Sequence, residues 1–232
     1  MTLKKMSKTL FITGTDTNAG KTILTSALAA YWQKYHPNQN LGIMKPLQSG
    51  EGDREFYLKL FELPQTAEEL NPLYFAAPLA PPLAADLENR RVELEKVWPV
   101  LVGLQKRCDL LLVEALGGLG SPVTHELTVA DIGRDWGLEA LLVVPVRLGA
   151  ISQAVTSVAL ARQTGMRLRG IVLNCSEPRT QEEIDQWTPA YMIEQFTGVP
   201  VLGCLPFLAD VTNKENLIDV ASKLDLERMI FW

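Results

Sequence analysis

Apolar residues along this chain gather in two patterns, and their alternation predicts an architecture. Short continuous runs such as Leu10-Phe11-Ile12, Leu110-Leu111-Leu112-Val113 and Leu141-Leu142-Val143-Val144 have no polar side, so they read as strands buried on both faces. Between them, apolar positions recur with helical spacing, as in Leu24, Ala27, Leu28 and Tyr31. Strands are expected over Lys8–Thr13, Leu41–Met44, Asp109–Glu114, Glu139–Val146, Gly170–Asn174 and Val199–Leu205. The first helix should end before His36-Pro37, because a residue ahead of proline avoids the helical region. Further helices are expected over Arg54–Phe61 and over Glu93–Arg107, where Pro99 either kinks the helix or delays its start.

The second half continues the alternation. A short helix ends at Trp136, and another carries Ile151, Ala154, Val155 and Val158 on one face and stops at Gly165. Thr188 should cap a helix whose first position is Pro189 and which runs to Gly198, and Leu217, Val220, Ala221 and Leu224 mark a final one. Pro64, Pro72, Pro78, Pro81 and Pro82 leave residues 62–92 irregular, as a covering or substrate-contacting loop. Strands alternating with helices over the full length predict an α/β fold. It is a single domain over residues 1–232, with a doubly wound, mostly parallel sheet flanked by helices, like that of P-loop nucleotide-binding proteins.

Composition narrows the function class. With 47% hydrophobic and 21% charged residues in 232, the chain has an ordinary globular balance. Its formal net charge of −5 argues against nonspecific attraction to nucleic acid or anionic membrane. The basic start, Met1 to Lys8, leads into too short an apolar stretch for a signal peptide, and the longest apolar run, Ala140 to Val146, falls far short of a membrane span. The expected location is the cytoplasm. Cys108, Cys175 and Cys204 lie far apart in sequence beside apolar runs, which suggests buried thiols in a reducing compartment.

The chemistry concentrates in Gly14-Thr15-Asp16-Thr17-Asn18-Ala19-Gly20-Lys21-Thr22, a glycine-bounded loop between the first strand and the first helix. Its backbone N–H groups and the helix N-terminus suit a polyphosphate, Lys21 would reach the β- and γ-phosphates, and the Thr22 hydroxyl would bind Mg2+. The pattern departs from G-x-x-x-x-G-K-[ST], since Thr15 stands where glycine is usual and Gly14 precedes it. Glu114, closing a buried strand, and Asp53 supply further hard oxygens for the metal, although Glu51 and Glu55 flank Asp53 and offer alternatives. Lys45, after the second strand, is a second cation for charge developing in phosphoryl transfer, though sequence position alone favours a solvated surface lysine. His36 and His125 are isolated, and two histidines make no histidine-rich metal site.

The ordered set Gly14-Thr15-Asp16-Thr17, Gly20-Lys21-Thr22, Lys45-Pro46, Ser49-Gly50, Val113-Glu114 and Gly117-Gly118 resembles the signature of ATP-dependent dethiobiotin synthetases. The resemblance extends through Val146-Arg147-Leu148-Gly149 and Asn174 to Pro206-Phe207-Leu208, nearly the whole chain. It implies a homodimeric carbon–nitrogen ligase of biotin synthesis. Its substrates would be 7,8-diaminononanoate, CO2 and ATP with Mg2+, joined through a carbamate and a carbamic–phosphoric anhydride. By matched position, Lys45 and Lys21 are catalytic, Thr17 and Ser49 contact the substrate, and Thr22, Asp53 and Glu114 bind the metal. The nucleotide is held by Asn18, Ala19, Gly20, Lys21, Thr22 and Ile23, with Asp53 and the Glu114, Ala115, Leu116, Gly117 stretch nearby. Asn174, with Cys175 beside it, reads the adenine, and Pro206, Phe207 and Leu208 line the base pocket. Gly149, Ala150 and Ser152 match the segment that receives the carboxylate tail of the substrate bound to the other subunit. The departures are a short connection between Lys45 and Asp53, Asn18 where an acid is common, Ala115-Leu116 where Gly-Ala is usual, and Ser152 where asparagine can occur.

Two rivals share the phosphate loop. Partitioning ATPases, which act as nucleotide switches, carry a second lysine early in that loop, and here Gly14-Thr15-Asp16 stands instead. Cobyrinate-type amidating synthetases need a glutaminase domain in addition.

Overall fold

The computed structural model describes residues 7–230, so all of the basic start Met1 to Lys8 except Ser7 and Lys8 lies outside the described residues. The elements run β1 (Lys8–Gly14), α1 (Lys21–Tyr35), β2 (Leu41–Met44), β3 (Leu47–Ser49), α2 (Asp53–Leu60), α3 (Ala67–Leu70), β4 (Leu73–Phe75), α4 (Pro81–Leu87) and α5 (Leu94–Arg107). They continue β5 (Leu110–Glu114), α6 (Val129–Asp135), β6 (Glu139–Pro145), α7 (Ala150–Thr164), β7 (Arg167–Asn174), α8 (Gln181–Trp187), α9 (Ala190–Thr197), β8 (Val201–Leu205), α10 (Lys214–Ser222) and α11 (Leu226–Ile230). Six strands form one sheet in the order β2-β5-β1-β6-β7-β8, every neighbouring pair parallel.

The apolar runs are buried on both faces, as their lack of a polar side predicts. Successive residues of one strand enter opposite layers. Leu10, Ile12, Leu110 and Leu112 pack with Leu24 and Leu28 of α1 and Leu217 and Ala221 of α10. Phe11, Leu111 and Val113 face the other way, toward Leu101 and Leu104 of α5, Ile132 of α6 and Ala154 of α7. The sheet is therefore covered by helices on both sides, the doubly wound arrangement expected.

Several boundaries differ from expectation, each for a local reason. Residues 62–92 are not wholly irregular. β3 and β4 pair in parallel from Leu47↔Leu73 to Ser49↔Phe75, and Pro81 and Pro82 begin α4 because proline tolerates the first helical turn. α5 starts at Leu94 and carries exposed Pro99 within it, so the proline does not delay the helix. Thr188 does not cap α9. Its hydroxyl donates back to the Ile184 carbonyl at the end of α8, and Pro189 itself occupies the cap position. The α8 helix was readable but missed: Thr180 and Glu183 form a reciprocal capping box with the T-x-x-E pattern. Leu224 falls beyond α10, and α11 follows it. Cys108 and Cys175 are buried, but Cys204 is only half-buried, and the fold brings its sulfur within 3.9 Å of Cys175 Sγ. Among the described residues, no helix is long and apolar enough to cross a membrane.

Candidate active site

Strand order decides which loops meet. β5 lies between β1 and β2, so the glycine loop after β1, Glu114 at the end of β5 and Lys45 just after β2 share the carboxyl edge of the sheet. On the other side, β6, β7 and β8 bring Asn174 and the segment after Leu205 along the same edge. A cavity of about 920 Å³ opens there. Its lining includes Thr17, Asn18, Gly20, Lys21, Thr22 and Ile23, then Lys45, Ser49, Asp53 and Glu114. Leu116, Gly117, Asn174, Cys175 and Pro206 to Leu208 also contribute. Of the residues expected at the site, Ala19, Ala115, Gly149, Ala150 and Ser152 do not line the cavity. Gly149, Ala150 and Ser152 lie at the N-terminus of α7, where Gly149 takes a left-handed φ of 87° as the cap.

The glycine loop is held by close backbone packing. Gly20 has a φ of 104°, and a side chain there would strike the Asn174 amide, within 2.1 Å of Nδ2. At Gly118 a Cβ would come within 2.7 Å of the Thr15 carbonyl oxygen, so the loop after β5 can lie against the phosphate loop only with glycine. Lys21, almost wholly buried, donates to the backbone carbonyls of Asp16, Thr17 and Gly117 at 2.9, 3.1 and 2.7 Å. Burial and the neighbouring Lys45 charge lower its pKa to about 8. Asp16 pairs with Arg147 at 2.7 Å, and that contact holds its carboxyl below the ordinary aspartate value.

Beside the loop, the Thr22 hydroxyl lies 2.9 Å from Asp53 Oδ1 and 3.1 Å from Glu114 Oε1. The Lys45 ammonium sits between the same two carboxylates, 2.5 Å from Asp53 and 2.6 Å from Glu114. Burial alone pushes the Lys45 pKa down, but the two carboxylates outweigh it and leave the ammonium above the ordinary lysine value. The same pairing holds Asp53 below the ordinary carboxylate range in spite of its burial. Among the flanking acids, Glu55 turns back to the Gly52 N–H and Gln48, and Glu51 is exposed. Asp53 is the acid that reaches Thr22. This set of one hydroxyl and two carboxylates suits a small, hard divalent cation, which keeps few protein ligands and fills the rest with phosphate and water.

Tyr57 and Thr25 were not anticipated: both hydroxyls reach Glu114 Oε2. Tyr57 lies four residues after Asp53 on α2, a spacing that places both on one helix face, but nothing in the sequence pairs that face with β5. Asn71 was missed as well. From the segment after α3 its amide donates to the Lys45 carbonyl at 2.8 Å, while Lys45 N–H donates to Leu70 O. Pro78, Leu79, Ala80 and Pro81 form an apolar wall of the cavity. Ser49 Oγ is buried there with no hydrogen-bond partner among the described residues, an arrangement that a bound polar group would satisfy. At the opposite end, Asn174 Nδ2 donates to the Ala19 carbonyl at 3.1 Å, so this amide also ties β7 to the phosphate loop.

A family described as an AAA domain matches residues 8–215. The ATP-dependent dethiobiotin synthetase BioD of Gloeothece citriformis is 52% identical, over 95% of this chain and 98% of that protein. The enzyme of the same name from Crocosphaera subtropica is 53% identical, over 95% and 99%. Among solved structures, a ParA family ATPase from Chlorobium tepidum superposes with a TM-score of 0.59 at 15% identity, covering 97% of this chain and 96% of that one. MinD from Aquifex aeolicus gives 0.59 at 15%, over 93% and 96%. Likeness at that identity concerns the fold alone.

Proposed function

The chain belongs to the ATP-dependent dethiobiotin synthetases, ATP-using ligases, and on that footing we propose how its residues divide the reaction. The diamine takes up CO2 as a carbamate, the γ-phosphoryl group passes to a carbamate oxygen, and the second amine attacks the carbonyl carbon and expels phosphate to close the cyclic urea. Carbamate and triphosphate are both anions, so their approach needs fixed positive charge. Lys21 and the N-terminus of α1 receive the phosphates. Lys45 holds the carbamate oxygen and the migrating phosphoryl group, leaving the carboxylates that it pairs with in the free protein. The single observation that carries this reading is the buried Lys45 ammonium between Asp53 and Glu114, beside the phosphate loop.

Thr22, Asp53 and Glu114 are the residues that would hold Mg2+, which when bound offsets phosphate charge. Thr17 and Ser49 contact the diamine, whose aliphatic chain suits the wall made by Pro78, Leu79 and Pro81. Asn174 and Pro206 to Leu208 form the base pocket. The α7 N-terminus, with Gly149, Ala150 and Ser152, receives the carboxylate tail of the diamine bound to the other subunit of a homodimer. The chain works as one domain on small molecules, without nucleic acid or membrane.

The test is phosphate release with ATP and Mg2+, with and without 7,8-diaminononanoate and bicarbonate. Release should require both and yield a cyclic urea by mass. Lys45→Ala should lower it roughly 100- to 1,000-fold. Hydrolysis indifferent to the diamine would sink the assignment.

A further inference from the structure

The two oxygens of the Glu114 carboxylate keep different company. Oε1 faces Lys45 Nζ at 2.6 Å and the Thr22 hydroxyl at 3.1 Å, inside the cavity corner. Oε2 points the other way, toward the hydroxyls of Thr25 and Tyr57. Thr25 has one proton, and the Lys21 carbonyl oxygen four residues back lies at 2.9 Å, nearer than Oε2 at 3.1 Å. With that proton directed to Lys21, the Tyr57 phenol is left as the donor to Oε2. Tyr57 is wholly buried, packed in the layer of Leu24, Leu28 and Leu112. For packing alone phenylalanine would serve, since a buried hydroxyl costs free energy unless it is bonded. The position on α2 adds a second argument. Asp53 and Tyr57 are four residues apart, so one helix face presents a carboxylate to Thr22 and Lys45 and a hydroxyl to the back of Glu114.

We infer that Tyr57 is a positioning residue for the ligase reaction: by holding Glu114 Oε2 it makes Oε1 the oxygen offered to the corner shared by Thr22, Asp53 and Lys45. This rests on the reading of Glu114 as a magnesium ligand. Partners that orient a metal-ligating carboxylate from behind typically set metal affinity and activity within roughly 10- to 100-fold. Without the phenol the carboxylate is free to rotate toward Lys45. Metal binding then has to displace a tighter ion pair, and Lys45 is released less readily to the substrate.

The experiment is Mn2+ binding to the protein with ADP and no turnover, followed by electron paramagnetic resonance, for wild type, Tyr57→Phe, Glu114→Gln and the double variant. Tyr57→Phe removes one oxygen atom and keeps the ring. The expected result is Mn2+ affinity about 10- to 100-fold weaker in Tyr57→Phe, with no further loss on adding it to Glu114→Gln. In turnover, kcat should fall and the Mg2+ requirement rise while KM for the diamine holds, a split that loss of core stability would not produce. Mn2+ affinity within twofold of wild type in Tyr57→Phe, with Glu114→Gln clearly weakened, overturns the inference and leaves the metal site standing. If Glu114→Gln also binds like wild type, the metal-ligand reading falls and takes the inference with it. NMR of the Tyr57 hydroxyl proton on the unaltered chain is independent of how any variant folds. A slowly exchanging proton that shifts on adding Mg2+ and ADP supports the role, and one that ignores them overturns it.

Discussion

Lys21 shows how burial shifts the charge of a residue proposed to meet phosphate. Its three donors are spent on the carbonyls of Asp16, Thr17 and Gly117, and desolvation brings its pKa to about 8. A lysine that loses its proton near pH 8 in the free enzyme makes a testable pH profile. Since kcat/KM reports groups of the free enzyme, kcat/KM for ATP should decline above about pH 8, approaching tenfold per pH unit, while kcat falls later because bound phosphate favours the ammonium. A profile of kcat/KM flat to pH 9.5 would contradict it. The stability effect has the opposite sign. Between about 8 and the ordinary lysine value of 10.5 the unfolded chain binds more protons at this position, so the free protein gains stability from it as pH rises through that window. Lys45 behaves otherwise: its pKa is raised above 10.5, so its contribution is complete below that value and is lost only at higher pH. Two lysines lining one cavity are thus separated by what surrounds them. Lys21 stood out from its motif, whereas sequence position alone favoured a surface place for Lys45, which the fold buries.

At the scale of elements, the site depends on loops that lie close without side chains between them. The loop after β5 donates Leu119 N–H to Gly14 O and sets Gly118 directly against Thr15. Gly118→Ala would place a methyl 2.7 Å from a backbone oxygen, a contact that only movement of the phosphate loop relieves. It should raise KM for ATP roughly tenfold or more and leave the far-ultraviolet circular dichroism unchanged, because no helix or strand carries the change. Unaltered ATP kinetics would show that the two loops are not braced against each other. The segment 62–92 teaches the complementary lesson. Its prolines read as breakers, yet β4 pairs with β3, Asn71 holds the Lys45 carbonyl, and Pro78 to Pro81 wall the cavity. Such short elements draw their stability from tertiary contacts, so local propensity gave no reason to expect them.

On the scale of the molecule, the order β2-β5-β1-β6-β7-β8 lays the site out along one edge, with Lys45 and Glu114 on one side of the phosphate loop and Asn174 on the other. Changes on the two sides should therefore separate kinetically. The proposed homodimer adds a third region, since Gly149, Ala150 and Ser152 stand apart from the cavity of their own chain. If the tail of the substrate crosses to that segment, specific activity should fall on dilution as the dimer dissociates. Ser152→Trp, at an exposed position, should raise KM for the diamine about tenfold while KM for ATP stays within twofold. Activity independent of concentration, from a species with the mass of one chain by light scattering, would remove the second subunit from the site.

What the sequence by itself determined was local or periodic. Runs apolar on every side gave β1, β5 and β6, the helical spacing gave α1 and α7, and the glycine-bounded loop with Lys21 and Thr22 marked the proposed phosphate site. Each of these depends on neighbours within a few positions, where backbone geometry and burial leave little choice. Strand order was decided only in the tertiary structure. It carried Lys45 into the core between Asp53 and Glu114 and set Tyr57 behind Glu114. Those partners are separated by as many as 69 positions, and their pairing follows from how whole layers of helix pack on the sheet.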